Sequence, residues 1–168
     1  PESARADLAA LGGEIVLMPT HKTHFDGLFW RFLVMDDPKV TRYLIRDADS
    51  VISVKERVAV DAWLASDKYF HIMRDWYTHT EVIMAGMWGG VQGSLPKFSV
   101  LIKEFSTMAC LPDRTVDQLF LRTCVWPTAR QSCLIHDRYF SALGALPFPP
   151  YGDLPDGRHI GENEAKVR

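Results

Sequence analysis

Tyr43-Leu44-Ile45-Arg46-Asp47-Ala48-Asp49-Ser50 is the stretch on which the reading of this chain turns. The residues from Val40 to Ile45 are mostly apolar and rich in types that favour extended backbone, so they predict a strand, and the acidic residues fall where that strand would end. Residues two apart in extended backbone project to the same side, so the carboxylates of Asp47 and Asp49 can converge on one cation. Hard oxygen ligands of this kind select Mg²⁺ or Mn²⁺, ions that take one or two protein carboxylates together with substrate phosphates. Read alone, the pair serves equally well as a solvated acidic turn. Position gives it weight, because Ser53-Val54-Lys55-Glu56 follows as a capping box opening a helix whose inner side is expected at Val58, Ala62 and Trp63.

Outward from this stretch the pattern alternates between helix and strand. Upstream, Glu2 to Leu11 reads as a helix closed by Gly12-Gly13, Glu14 to Met18 as a short strand, and Phe29 to Met35 as a helix stopped by Asp36-Asp37-Pro38. Downstream, Tyr69 to Met73 is a second strand of the same type, and Gly86-Met87-Trp88-Gly89-Gly90 reads as a glycine turn permitting close backbone approach. Phe98, Leu101, Ile102 and Phe105 mark a helix, Asp117 to Val125 another that Pro127 should end, and Cys133-Leu134-Ile135 a last strand running into His136-Asp137. This grammar predicts an α/β chain: one three-layer α/β/α domain over residues 1–146 with a mostly parallel sheet, its functional groups at the carboxyl ends of the strands. Residues 147–168 read as a loosely packed tail.

Composition narrows the function classes. The 168 residues carry 19 Lys and Arg against 21 Asp and Glu, a net charge of -2, too balanced for a chain whose main partner is a nucleic-acid backbone or an anionic membrane. The longest uncharged stretch, Val82 to Pro96, is broken by glycines and too short for a membrane span. Cys110, Cys124 and Cys133 are odd in number and form no C-x-x-C pair, which fits a reducing cytoplasm better than a disulfide framework or zinc ribbon. No P-loop, G-x-G-x-x-G or G-x-S-x-G motif occurs. A competing metal site is His21-x-x-His24-x-Asp26, residue types that could hold Zn²⁺ or Fe²⁺ for a metal-dependent hydrolase, although Lys22 places a cation beside it.

Taken in order, Phe29-Trp30-Arg31-Phe32, Arg46-Asp47-Ala48-Asp49-Ser50, His71-Ile72-Met73-Arg74-Asp75, Gly86 to Gly90, Asp117-Gln118 and His136-Asp137 resemble bacterial glycosyltransferase-like proteins of the GT-A, nucleotide-diphospho-sugar transferase type. The resemblance covers roughly Leu11 to Phe140. It implies a metal-dependent transfer of sugar from a nucleotide-diphosphate donor to a glycan, lipid or small-molecule acceptor. Asp47 and Asp49 would hold Mn²⁺ or Mg²⁺ on the donor diphosphate, with His136 as a third ligand. Asp117 and Gln118 would lie against donor sugar and acceptor, although Leu119 stands where an Asp-Gln-Asp triplet would have its last acid. Arg46 and Arg74 are expected to meet phosphate, and the backbone at Gly89 and Gly90 the donor sugar. Only 46 residues precede Asp47. The resemblance therefore implies a nucleotide-binding half incomplete at its N-terminus. A protein partner would then complete it, or the chain would be a catalytically inactive remnant with a structural or partner-binding role.

Overall fold

In the computed structural model the described residues are 2–18, 26–108, 115–152 and 158–163. Four strands, β1 (Arg42–Arg46), β2 (Phe70–Arg74), β3 (Met87–Val91) and β4 (Cys133–Asp137), form one sheet in the order β1-β3-β2-β4. β3 pairs antiparallel with both β1 and β2, setting Arg42 against Val91 and Phe70 against Gly90, whereas β2 and β4 are parallel with Phe70 opposite Cys133. The chain is α/β as expected, but the sheet is mixed and mostly antiparallel in its pairings, not mostly parallel. The cause lies in residues 75–86, which carry no helix. Without a helical crossover the chain turns back and lays β3 antiparallel beside β2. β1, β2 and β4 nonetheless run in one direction and share a carboxyl end.

Residues 87–90 of the glycine cluster are thus the inside of a strand, and only Gly86, just before it, lies in a turn. A Cβ on Gly90 would lie 2.7 Å from Cζ of Tyr43 and 3.0 Å from Cδ1 of Phe70, and one on Gly89 would lie 2.6 Å from the Tyr43 carbonyl oxygen. The two glycines let large neighbours on β1 and β2 close over β3.

Around the sheet lie helices α1 (Glu2–Ala10), α2 (Asp26–Trp30), α3 (Val54–Leu64), α4 (Phe98–Met108), α5 (Val116–Phe120) and α6 (Trp126–Ala129), and the helix expected over Phe29 to Met35 is instead the end of α2 followed by a 3-10 turn at Leu33–Asp36. α1 buries no residue, and residues 14–18 form no strand, with Val16 and Leu17 exposed. An apolar run specifies extended backbone but not a pairing partner. α3 begins as predicted, Ser53 Oγ accepting the Glu56 N–H at 3.2 Å. Its buried side is Lys55, Glu56, Ala59, Val60 and Trp63, because ion pairs to Asp75 and Arg46 let two charged residues turn inward. Val58 and Ala62 are only half-buried.

Between α5 and α6 the chain makes one π-helical turn, Leu121–Val125, and continues through Pro127 in the first turn of α6 to Ala129. Pro127 does not end the helix as predicted. Lacking an N–H, it widens the preceding turn instead. The core is an aromatic cluster gathered from α2, α4, α5 and β3: Phe120 stacks on Phe32 with centroids 5.9 Å apart and meets Phe29 and Phe105 edge-on at 5.5 and 5.4 Å. Trp88 of β3 joins Phe32 at 6.1 Å.

The expected loose tail is docked over much of its described length. Ile160 is fully buried with Ala59, Met73 and Met87, its N–H donating to Asp75 at 2.9 Å, and Lys55 Nζ lies over the rings of Phe148 and Tyr151. Among the described residues no helix is long and apolar enough to cross a membrane.

Candidate functional site at the carboxyl end of the sheet

β1 delivers Asp47 to the carboxyl end of the sheet, where Ser50 N–H closes a turn on the Asp47 carbonyl at 3.1 Å. The Asp47 carboxylate pairs with the Arg31 guanidinium, just past α2, and rests on the backbone of Gly86. A Cβ at Gly86 would lie 2.8 Å from Asp47 Cγ, so this glycine makes the seat for the carboxylate. From the other half of the chain, α5 brings Asp117 to the same place. Burial pushes the Asp117 carboxyl above its ordinary value and Asp47 adds to that, while the Gln118 N–H and Arg31 pull it down. Asp47 and Arg31 are therefore paired within electrostatic reach of Asp117.

Gln118, next to Asp117, lines a pocket of about 470 Å³ shared with Thr78, Thr80, Glu81, Met84, Thr115, Leu119 and Arg122. Its Oε1 is buried without a hydrogen-bond partner among the described residues. A buried carbonyl oxygen left unpaired costs about 1–3 kcal/mol, an expense that turning the Gln118 side chain toward a ligand hydroxyl would remove. Opposite it, the Glu81 carboxylate pairs with Arg122. Six of its eight lining residues are polar, and both signs of charge are present, which suits a polyhydroxylated ligand more than a wholly apolar one.

The other expected site residues are placed elsewhere. Asp49 is exposed in the turn after β1, whereas His136 lies on β4, separated from β1 by two intervening strands. His136 Nδ1 is 2.9 Å from His71 Nε2, and His71 stacks on Trp63 with centroids 5.7 Å apart. Burial lowers both histidines, His71 to a pKa of about 3 and His136 to about 4. They are a neutral, packed pair. Among the described residues no group of three or more His, Cys, Asp or Glu side chains is placed to hold a metal ion, so Asp47, Asp49 and His136 do not form the three-ligand site that the resemblance implies.

Nor are the two arginines free for phosphate. Arg46 pairs with Glu56 and donates to the Ile45 and Trp88 carbonyls at 2.6 and 3.2 Å, and Arg74 Nε donates to Asp137 at 2.5 Å. Gly89 and Gly90 are buried within β3. His21 and His24 lie outside the described residues, as does the side chain of Asp26.

No family model, no curated protein and no solved structure matches this chain. Sequence reasoning gave Arg31 no role, Gly86 only a place in a glycine turn permitting close backbone approach, and Glu81 no role. The first two stood inside motifs already quoted, in Phe29-Trp30-Arg31-Phe32 and in the glycine cluster. The signal for Gly86 was its place at the start of that cluster, while nothing in the local sequence marks Glu81.

Proposed function

We propose that this chain carries a sugar-transfer site in which the pocket beside Gln118 takes the sugar of a nucleotide-diphosphate donor. The observation that supports this reading best is the ion pair of Asp47 with Arg31 within electrostatic reach of Asp117, whose neighbour Gln118 lines a pocket with mostly polar residues. Gln118 Oε1 would accept a sugar hydroxyl hydrogen. Arg31 would move its guanidinium from Asp47 toward the incoming diphosphate, for which planar, two-point pairing makes it well suited.

Of the implied metal ligands, Asp47 and Asp49 fit and His136 does not. Two exposed carboxylates in one turn are a sufficient protein share for Mn²⁺ or Mg²⁺, provided substrate phosphates complete the shell. Bound there, such an ion would neutralise charge on the leaving diphosphate.

The remaining work falls to side chains of the pocket. The acceptor hydroxyl oxygen forms the bond to the anomeric carbon, the bond from that carbon to the diphosphate breaks, and the nucleoside diphosphate leaves with the electron pair. Glu81, on the pocket wall and paired with Arg122, takes the hydroxyl proton. Asp117 stabilises positive charge developing at the sugar ring.

The test is turnover of UDP-, GDP- and dTDP-sugars by the purified chain with Mn²⁺ or Mg²⁺ supplied. Glu81→Gln and Asp117→Asn are expected to lower kcat by about 100-fold, and Gln118→Ala to weaken donor binding. Turnover that survives all three substitutions would place the chemistry elsewhere.

A further inference from the structure

A second pocket, of about 250 Å³, lies on the other side of the same segment. Thr80 lines both pockets, Glu81 only the first and Val82 only the second, so residues 80–82 form the partition between them. The second pocket differs in character. Its buried base is Arg74 and His79, and its exposed rim is Phe140, Ala142 and Leu143.

The base carries charge that is already matched. Asp137 accepts from Arg74 Nε through one oxygen, while its other oxygen accepts the N–H groups of Tyr139 and Phe140, each at 2.8 Å. One carboxylate thus neutralises the base and fixes the loop that forms the rim. Arg74 Nη1 reaches the Glu81 and Val82 carbonyls at 3.4 Å, and its Nη2 is buried without a partner among the described residues. His79 Nδ1 accepts the Asp75 N–H at 3.1 Å, which puts the proton of the neutral ring on Nε2. Burial holds this ring neutral, with a pKa of about 4. On the rim, Leu143 sits at φ 61°, a left-handed conformation that side-chain-bearing residues rarely adopt and that tends to mark built sites. The second pocket therefore offers apolar walls, N–H donors and no unmatched charge.

We propose that this second pocket binds the acceptor of the transfer reaction by an uncharged aryl or acyl body bearing a carbonyl oxygen, its hydroxyl reaching past Thr80 to Glu81. The inference rests on the sugar-transfer reading for its word acceptor, but the pocket's ligand chemistry rests on Arg74, His79 and the apolar rim alone. The oxygen of that hydroxyl joins the anomeric carbon as the diphosphate leaves with the electron pair, and its proton passes to Glu81. A glycan would find too little to hydrogen-bond in the second pocket, and a carboxylate would bring a second negative charge to an Arg74 whose charge Asp137 already matches.

Chemical-shift titration of the whole chain with 4-hydroxyacetophenone, 4-hydroxybenzoate and cellobiose tests this. The expected result is saturable binding of 4-hydroxyacetophenone, with the largest shifts at the amides of Phe140, Ala142 and Leu143. Binding of 4-hydroxybenzoate should be at least about tenfold weaker, as leaving a charge unpaired implies, and cellobiose should not compete. Ala142→Trp, which fills the mouth from an exposed position, should abolish binding. Leu143→Gly, which suits the backbone there and removes one wall, should weaken it. Absence of saturable binding, equal binding of the carboxylate, competition by cellobiose, or binding unchanged in both variants would overturn the proposal. UDP, GDP and their sugars are titrated in parallel. If none binds while 4-hydroxyacetophenone still shifts the rim, the sugar-transfer reading falls and the second pocket's ligand chemistry stands.

Discussion

Gly86 shows how much a missing side chain can decide. Its lack of a Cβ seats Asp47, so Gly86→Ala must push the carboxylate away from Arg31 and Asp117. Misplacement of a reacting group by about 1 Å costs on the order of 100-fold in rate. Gly86→Ala is therefore expected to lower turnover of a nucleotide sugar by about that factor while circular dichroism shows the fold retained; turnover at the wild-type level would show that the Asp47 seat is not needed. Arg46 and Arg74 teach the opposite lesson. Both were legible as cations near strand ends, but their use was not, because Glu56 and Asp137 reach them only after α3 and β4 have packed. His136 was misassigned for the same reason: its partner His71 comes from the neighbouring strand. The histidines also set the acid response. His71, His79 and His136 are held neutral well below the ordinary value of 6.5. The unfolded chain therefore binds protons that the folded chain refuses between about pH 6.5 and 4, and stability falls as pH is lowered through that window. Each histidine contributes about 1.4 kcal/mol per pH unit there, and thermal melts from pH 7 to 4 should show a progressive drop that His79→Gln reduces; a flat profile would contradict the burial described.

Among the elements, the strands around Asp47 and His71 were readable because their apolar, β-rich runs also find pairing partners in β3 and β4, which the run at residues 14–18 does not. The orientation of β3 was not. Gly89 and Gly90 carry no β-propensity, and what makes their segment a strand is the pair of rings from Tyr43 and Phe70 closing over Gly90. Gly90→Ala crowds those rings in a packed sheet and is expected to cost about 1–3 kcal/mol, read from the urea midpoint at unchanged m value. An unchanged midpoint would mean that the rings have room to move. α5 carries Asp117 and Gln118 on a short helix that owes its place to Phe120, which stacks among Phe29, Phe32 and Phe105. Phe120→Ala should cost about 3–5 kcal/mol and reduce activity along with stability, whereas Gln118→Ala should reduce activity alone.

At the scale of the molecule, the sequence marked the carboxyl end of the sheet as the functional end, and the Asp47 that β1 carries there lies within electrostatic reach of Asp117. What sequence could not supply was which acids share a neighbourhood, since strand order depends on long-range pairing. β1 and β4 stand at opposite edges, so motifs equally close to strand ends are well separated in space. The docking of residues 158–163 was equally hidden, because Ile160 is a single apolar residue in a charged stretch and gains its role only from Ala59, Met73 and Met87. The central claim is that the neighbourhood of Arg31, Asp47, Gly86 and Gln118 binds the donor. Amide-shift mapping with UDP-glucose, GDP-mannose and dTDP-glucose in the presence of Mg²⁺ addresses it most directly. The account predicts that at least one of them produces saturable shifts centred on those four residues, and that Gln118→Ala weakens its binding. Saturable shifts centred elsewhere, or no binding by any of the three, would contradict it.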